Sequence, residues 1–293
     1  VLILSSEEKV KMTRRATSRL ELDEIGSWSE LKIDIIRKYA HAYTTILHKY
    51  HFDPVYIDGF AGAGQHVSKA SGNTVDGSPS VAFAVQPPFK EFHLVDLDGH
   101  RAQNLKTLAR NRTDVTVYNG DCNSVLLKEV FPKTLLQTNK RALAILDPYG
   151  LHLNWDVIAE AGRSKRAEIF LNFPVADMNR NVFWHDPVGV DPEDISRMNR
   201  FWGDESWKDI VYISTPTLFG DETGKDANAT AEIAKAFKKR LVNVAGFKYV
   251  PDPVPMRNAK NAVIYYLFFA TQNETGGRIV KDIFEKYKRE GAF

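Results

Sequence analysis

Hydrophobic positions along the chain follow two alternating periods. From residue 28 to 48, Trp28, Leu31, Ile35, Ile36, Tyr39, Ala42, Tyr43, Ile46 and Leu47 fall three and four apart, which puts one apolar stripe on a helix opened by Ser27 or Ser29. Short β-branched and aromatic runs follow at Val55 to Asp58, 92 to 96, 115 to 119, 142 to 146 and 167 to 172. Between them lie helical patterns: one opened by Ser78-Pro79 after a long loop, Gln65 to Gly77, one from Gly99 to about Asn111 capped by Asp98, and two more at 123 to 130 and 154 to 162. Such alternation predicts a doubly wound α/β domain, a parallel sheet covered by helices on both faces. From Val175 to Asp226 the alternation lapses into short helical pieces with Trp184, Trp202 and Trp207 among Asp, Arg and Asn. A helix from Ala229 to Asn243, two runs at Phe247 to Val250 and Val263 to Ala270 that should pair antiparallel, and a helix from Arg278 to Lys288 complete the pattern. The expected division is an N-terminal extension over 1–27, a core over 28–174, a helical insertion or cap over 175–226, and completion of the core sheet over 227–293.

Composition narrows the picture only a little. With 293 residues, 43% of them hydrophobic, the chain can bury a full core, and a net charge of +2 is too small to require a nucleic-acid partner. The one cysteine, Cys122, excludes an internal disulfide framework and an all-cysteine metal site, so a reducing, cytoplasmic setting is expected. The strongest apolar run, Ala262 to Ala270, is nine residues long, and Val1 to Leu4 is too short for a signal peptide and reads as a frayed end. No membrane partner is expected.

Candidate chemistry gathers at the strand ends. Tyr56-Ile57-Asp58-Gly59-Phe60-Ala61-Gly62-Ala63-Gly64 is a buried strand running into an acid and a glycine-rich turn, the place where backbone can approach a ligand without interference from a Cβ. Three later strands also end in an acid: Asp96, Asp121 after Gly120, and Asp147. Four carboxylates at successive strand ends are expected to face one crevice. An adenosine-containing cofactor needs small residues against its tail, a carboxylate for two ribose hydroxyls and an acceptor for the adenine amine. Asp96 stands where a ribose acid belongs, since removing the loop 65–77 leaves 19 residues between Gly64 and Asp96 against roughly 20 in dinucleotide binders. Asp121 is a candidate for the adenine amine; it would serve equally as a cap for the helix at 123. In Asp147-Pro148-Tyr149-Gly150, proline stiffens the turn, the acid can hold an amine's lone pair toward an electrophile, and the aromatic can lie against a planar substrate.

These segments occur in the order of the S-adenosylmethionine-dependent methyltransferases. More closely, Trp28 with Lys32 and Tyr39, Tyr56 to Gly62, Gly77-Ser78-Pro79, Leu146 to Gly150 and Tyr265-Tyr266-Leu267-Phe268-Phe269-Ala270 resemble the three-Cys-motif partner proteins. The resemblance runs from about Trp28 to the C-terminus. It implies a Rossmann-like methyltransferase sheet and S-adenosylmethionine as cofactor, held by Asp58, Gly59, Phe60, Ala61, Gly62, Gly64, Asp96, Asp121 and Cys122. It also implies a cysteine-motif partner protein that resembles the radical S-adenosylmethionine enzymes. The turn at Asp147 is similar to the Asp/Asn-Pro-Pro-aromatic motif of amino-methyltransferases, which would make Asp147, Pro148 and Tyr149 catalytic on an amine of a nucleobase or nucleic acid. Here the second proline is absent, and that shortens the reach of Tyr149. Asn172-Phe173-Pro174 would supply a second wall of the substrate pocket.

Three readings stay open: a methyltransferase, a non-catalytic partner subunit, and a nuclease using the strand-end aspartates for magnesium. The histidines form no ligand pair on one helix, so no metal site is assigned. The glycine turn lacks the lysine and Ser/Thr of a P-loop, no serine sits in a nucleophile elbow, and Lys235, Lys238, Lys239 and Arg240 read as a solvated helix face.

Overall fold

A computed structural model describes residues 24–25, 27–68, 74–217, 220–258 and 260–291. The extension expected over 1–27 lies outside the described residues apart from positions 24, 25 and 27, and so does the centre of the 65–77 loop. In chain order the elements are β1 (Glu24–Ile25), α1 (Ser27–Lys49), β2 (Asp53–Asp58), β3 (Gln65–Ser68), β4 (Thr74–Asp76), α2 (Ser78–Phe83), β5 (Glu91–Asp96), α3 (Gly99–Leu108) and β6 (Val115–Asn119). Then come α4 (Cys122–Val125), a π-helical turn (Leu126–Val130), α5 (Phe131–Thr134), β7 (Lys140–Leu146), α6 (Trp155–Ser164), β8 (Ala167–Phe173), α7 (Val175–Asn181), α8 (Pro192–Trp202), α9 (Lys208–Val211), β9 (Tyr212–Thr217) and β10 (Gly220–Lys225). The chain closes with α10 (Ala229–Asn243), β11 (Val254–Arg257), β12 (Val263–Ala270) and α11 (Glu274–Arg289).

The main sheet has seven strands in the order β11-β12-β8-β7-β2-β5-β6. β6, β5, β2, β7 and β8 are mutually parallel, while β12 runs antiparallel to both β8 and β11. Strand alternation divides the side chains between two cores. Val55, Ile57, Ala144, Leu146, Ile169 and Leu171 face one, which α6, α8 and α10 cover; Tyr56, Leu143, Ile145, Phe170 and Phe269 face the other, which α1 and α11 cover. This is the mostly parallel, doubly wound sheet with an antiparallel C-terminal pair that the pattern predicts.

The details differ in four places. The expected long loop 65–77 contains β3 and β4, an antiparallel pair that joins β1 in a small separate sheet. Ser78 does not cap α2; Gly77 holds the cap position and the Ser78 hydroxyl is used elsewhere. The strand expected at Phe247 to Val250 makes one isolated bridge, Tyr249 to Thr271, and the sheet edge is instead β11. Pro251, Pro253 and Pro255 make 251–257 read as a chain break, yet an edge strand tolerates proline because one row of its N–H groups needs no partner. Finally, the segment 175–226 is not helical throughout: it carries the β9–β10 hairpin, and Trp202 and Trp207 are buried core residues with their indole N–H groups donating to Ser206 and Asn199.

A buried carboxyl joins α1, β8 and the end of β12. Glu168 accepts from the Tyr39 hydroxyl and, at 2.8 Å, from the Thr271 hydroxyl, while burial pushes it up to about 7. A folded-state value above the unfolded one favours the protonated fold, so this contribution is fully present below about pH 4.5 and lost as pH rises through 7. Unfolding free energy in urea is expected to fall across that window in the wild type. Glu168→Gln should flatten the profile by on the order of 3 kcal/mol.

Candidate functional site

The parallel strands end at one edge, and strand order reverses between β5 and β7 on either side of β2, the topology that leaves a crevice outside the carboxyl ends. A cavity of about 670 Å3 lies there, within the range of small-molecule sites. Its walls are the turns after β2, β7 and β8, the first turns of α1, the start of α7 and the first residues of β12.

The glycine turn is held in shape by two strand-end acids. Asp58 is fully buried and accepts from the Phe60 N–H at 3.2 Å, the Tyr56 hydroxyl at 3.1 Å and the Ser78 hydroxyl at 2.6 Å. Burial pushes its carboxyl up to about 6 against these bonds, which pull it down. Asp96 accepts from the Gly62 N–H at 2.9 Å and the Asp98 N–H at 2.8 Å, and burial raises it as well. Gly62 sits at φ +63°, a conformation costly for other residues. At Gly59 the need is different: a Cβ there would come within 2.8 Å of the Cys122 sulfur.

Of the residues singled out from sequence, Phe60, Ala61, Gly62, Asp147, Pro148, Tyr149, Asn172 and Pro174 line the cavity. Asp58, Gly59, Gly64, Asp96, Asp121, Cys122 and Phe173 do not: the four strand-end carboxylates lie at one edge of the sheet, and of the four Asp147 lines this cavity. Asp58 and Asp96 are turned into the turn's backbone, Asp96 directly behind Gly62. Asp121 is the cap of α4, accepting from the Ser124 N–H at 2.9 Å, and Cys122 is buried under Gly59. Phe173 follows the strand period to the opposite core, where it packs on Phe237. The dispersal also leaves the magnesium reading without its shared carboxylate cluster.

Asp147 is the strand-end acid that reaches the cavity. It pairs with the Lys32 ammonium and accepts from the Asn172 side-chain amide. The Asn172 oxygen has no hydrogen-bond partner among the described residues, which leaves an acceptor beside Asp147. Tyr149 is 61% exposed at the rim; its hydroxyl accepts from Arg101 at 3.0 Å, and the guanidinium carbon lies 5.5 Å from its ring centre. Lys32, Arg101, Asp177 and Arg180 also line the cavity without having been assigned to it from sequence. Lys32 had a signal: a lysine one helical turn from Ile36, on the apolar stripe of α1, needs a buried counter-charge.

Comparison with solved structures finds protein LPL1258 from Legionella pneumophila, of the DUF519 family, at 12% identity and TM-score 0.47, covering 87% of this chain and 90% of that one. The N-methyltransferase NodS from Bradyrhizobium japonicum, in complex with S-adenosyl-L-homocysteine, matches at 8% identity and TM-score 0.38 over 92% of this chain and 100% of that one. A putative methyltransferase from Thermobifida fusca matches at 14% identity and TM-score 0.38 over 83% and 81%. At such scores the likeness carries nothing about activity, and the fold class stands on the chain's own strand order. No family model and no curated protein matches the chain.

The Lys32–Asp147 pair is asymmetric, with side chains 9% and 35% exposed. Removing the acid strands a buried ammonium, whereas removing the lysine leaves a carboxylate that water reaches. Asp147→Ala is therefore expected to cost about 2–3 kcal/mol of unfolding free energy and Lys32→Met about 1 kcal/mol, read from urea midpoints.

Proposed function

We infer that the protein is an S-adenosylmethionine-dependent methyltransferase acting on an amine of a planar acceptor, a nucleobase or a nucleic acid. The observation that carries this reading is the joining of the Phe60–Gly62 turn and the Asp147–Gly150 turn in one cavity at the switch point of the sheet, with Asn172 fixing the Asp147 carboxylate. The residues fit the cofactor. Phe60, Ala61 and Gly62 give a wall with little side-chain bulk, Lys32 and Arg101 are cations able to meet a carboxylate tail, and Asp96 stands behind Gly62 with one N–H on each oxygen and lone pairs remaining. S-adenosylmethionine supplies an activated methyl group when bound.

The chain's own part is orientation. Asp147, one oxygen of which is fixed by the Asn172 amide, is an acceptor for an N–H of an amine and orients its lone pair. The Lys32 ammonium stands at the Asp147 carboxylate, so an acceptor amine must displace or share it. Pro148 stiffens the turn, and Tyr149 at the rim offers a ring to a planar substrate.

Calorimetry is expected to show binding of S-adenosylmethionine, weakened about tenfold or more in Asp96→Ala, a loss of at least about 1.4 kcal/mol. No heat in any of several buffers would remove the cofactor from the reading. With a labelled methyl donor and a nucleic-acid acceptor, Asp147→Asn should abolish transfer while cofactor binding persists; full transfer by that variant would show that Asp147 does not hold the amine.

A second reading, a non-catalytic subunit of a cysteine-motif protein as in the three-Cys-motif partner family, draws on two observations. Lys32 already fills the amine position, and Tyr149 is held outward by Arg101. Co-purification with a cysteine-rich protein, with no turnover by either Lys32→Met or the wild type, is what this reading expects.

A further inference from the structure

The helix α1 spans the sheet, and a second cavity lies under its other end. This cavity, about 640 Å3, opens at the edge where β7 and β8 begin, opposite the site already described. Five cations line it: Lys49, Arg141, Lys165, Arg166 and Lys248. Among the described residues none of the five is in an ion pair, although neighbours of the same kind are: Lys140 pairs with Glu91 and Lys38 with Asp34. The lysine-rich face of α10 shows the same contrast, for Lys235, Lys238 and Arg240 each have a carboxylate partner.

The arginines are fixed in place by backbone. Arg141 donates to the carbonyls of Thr138 at 2.9 Å and Lys140 at 2.8 Å, and its guanidinium lies 4.0 Å from the Phe52 ring centre. Arg166 donates to the Leu135 carbonyl at 3.0 Å. Burial and, second to it, the nearby Arg166 charge hold Arg141 below its ordinary value. Two acids face the same space. Glu274 lies in the first turn of α11, and Glu168 on the wall is pushed up to about 7 by burial, so it presents less than a full charge near neutrality.

Two further features converge on the cavity. The first turn of α11, a sixteen-residue helix, lines it with Asn273, Glu274 and Thr275, bringing the positive end of a helix dipole. Tyr43 also lines it, is 5% exposed, and its hydroxyl has no hydrogen-bond partner among the described residues. That hydroxyl is shielded from solvent, so the cations and the rings, rather than Tyr43, carry the site. At the rim Tyr50 is 63% exposed and Tyr249 36%, two flat rings beside the cations. Fixed guanidinium groups, a helix N-terminus and exposed aromatic rings are what a phosphate attached to a base requires, and the space far exceeds the needs of a lone phosphate.

We propose that this second cavity is a nucleotide-binding site, taking a phosphate between Arg141, Arg166 and the N-terminus of α11 and a base against Tyr50, the more exposed of the two rings. Free nucleotide and single-stranded nucleic acid share that chemistry, and the test separates them. The full chain is titrated with inorganic phosphate and with adenosine monophosphate by calorimetry, and with a labelled single-stranded oligouridine by fluorescence anisotropy. Two variants accompany it: Lys165→Glu/Lys248→Glu, which reverses two exposed charges outside any ion pair, and Tyr50→Ala, which leaves charge unchanged. Both should melt like the wild type. Binding of the mononucleotide, weakened about tenfold or more by the charge reversal and severalfold by Tyr50→Ala, supports the site with free nucleotide as ligand. The same losses seen with the oligomer alone support it with a strand as ligand. The proposal is overturned if neither ligand binds, if either variant binds both as well as the wild type, or if inorganic phosphate binds as tightly as the mononucleotide.

Discussion

A turn made largely of glycine and alanine cannot hold its own shape, and the architecture at the active edge depends on how its backbone N–H groups are satisfied. Two carboxylates do this from neighbouring strands. Asp58 takes the Phe60 N–H while gripping Tyr56 and Ser78, which ties the turn to the strand before it and to α2. Asp96 takes the Gly62 N–H from the adjacent strand. Main-chain bonds from Gly59 to Ile145 and from Ala61 to Val95 complete the cradle, so β2, β5 and β7 all contribute. Burial raises both acids toward neutrality, which makes their hydrogen bonds the reason they can be buried at all.

With two acids committed to the turn and a third capping α4, the cavity is left with one strand-end carboxylate. Asp147 is balanced by a lysine from α1, and its second oxygen is fixed by Asn172. The result is a positioned carboxylate in a partly dry recess, the kind of group that orients an amine. Because Lys32 comes from a helix that also reaches the opposite edge of the sheet through Tyr43 and Lys49, α1 contributes to both cavities. Its apolar stripe, Ile35, Ile36, Tyr39 and Tyr43, packs on the sheet between them.

The alternation of period-two and helical runs was enough to read the sheet, its two covered faces and the antiparallel end, because those follow from which side chains must leave water. Motif spacing found the two turns that form the cavity, Phe60 to Gly62 and Asp147 to Gly150, and the flanking Asn172 and Pro174. The sequence left alternatives open where the same residue type serves two purposes. An aspartate at a strand end looks alike whether it faces a ligand, caps a helix as Asp121 does, or holds backbone as Asp58 does. Proline hid β11 in the same way, since a residue that breaks a central strand is harmless at an edge.

Local sequence alone therefore determined the elements, their order and the end of the sheet where chemistry gathers; periodicity and turn-forming residues act within a few positions of themselves. Only the tertiary structure decided which strand-end carboxylate meets the cavity, that Lys32 neutralises it from more than a hundred residues away, and that five cations from α1, β7 and the segments before β8 and after α10 converge at the far edge with no ion pair among the described residues. Those are meetings between distant segments. A side chain's charge is written in the sequence, but its counter-charge is assigned by the fold.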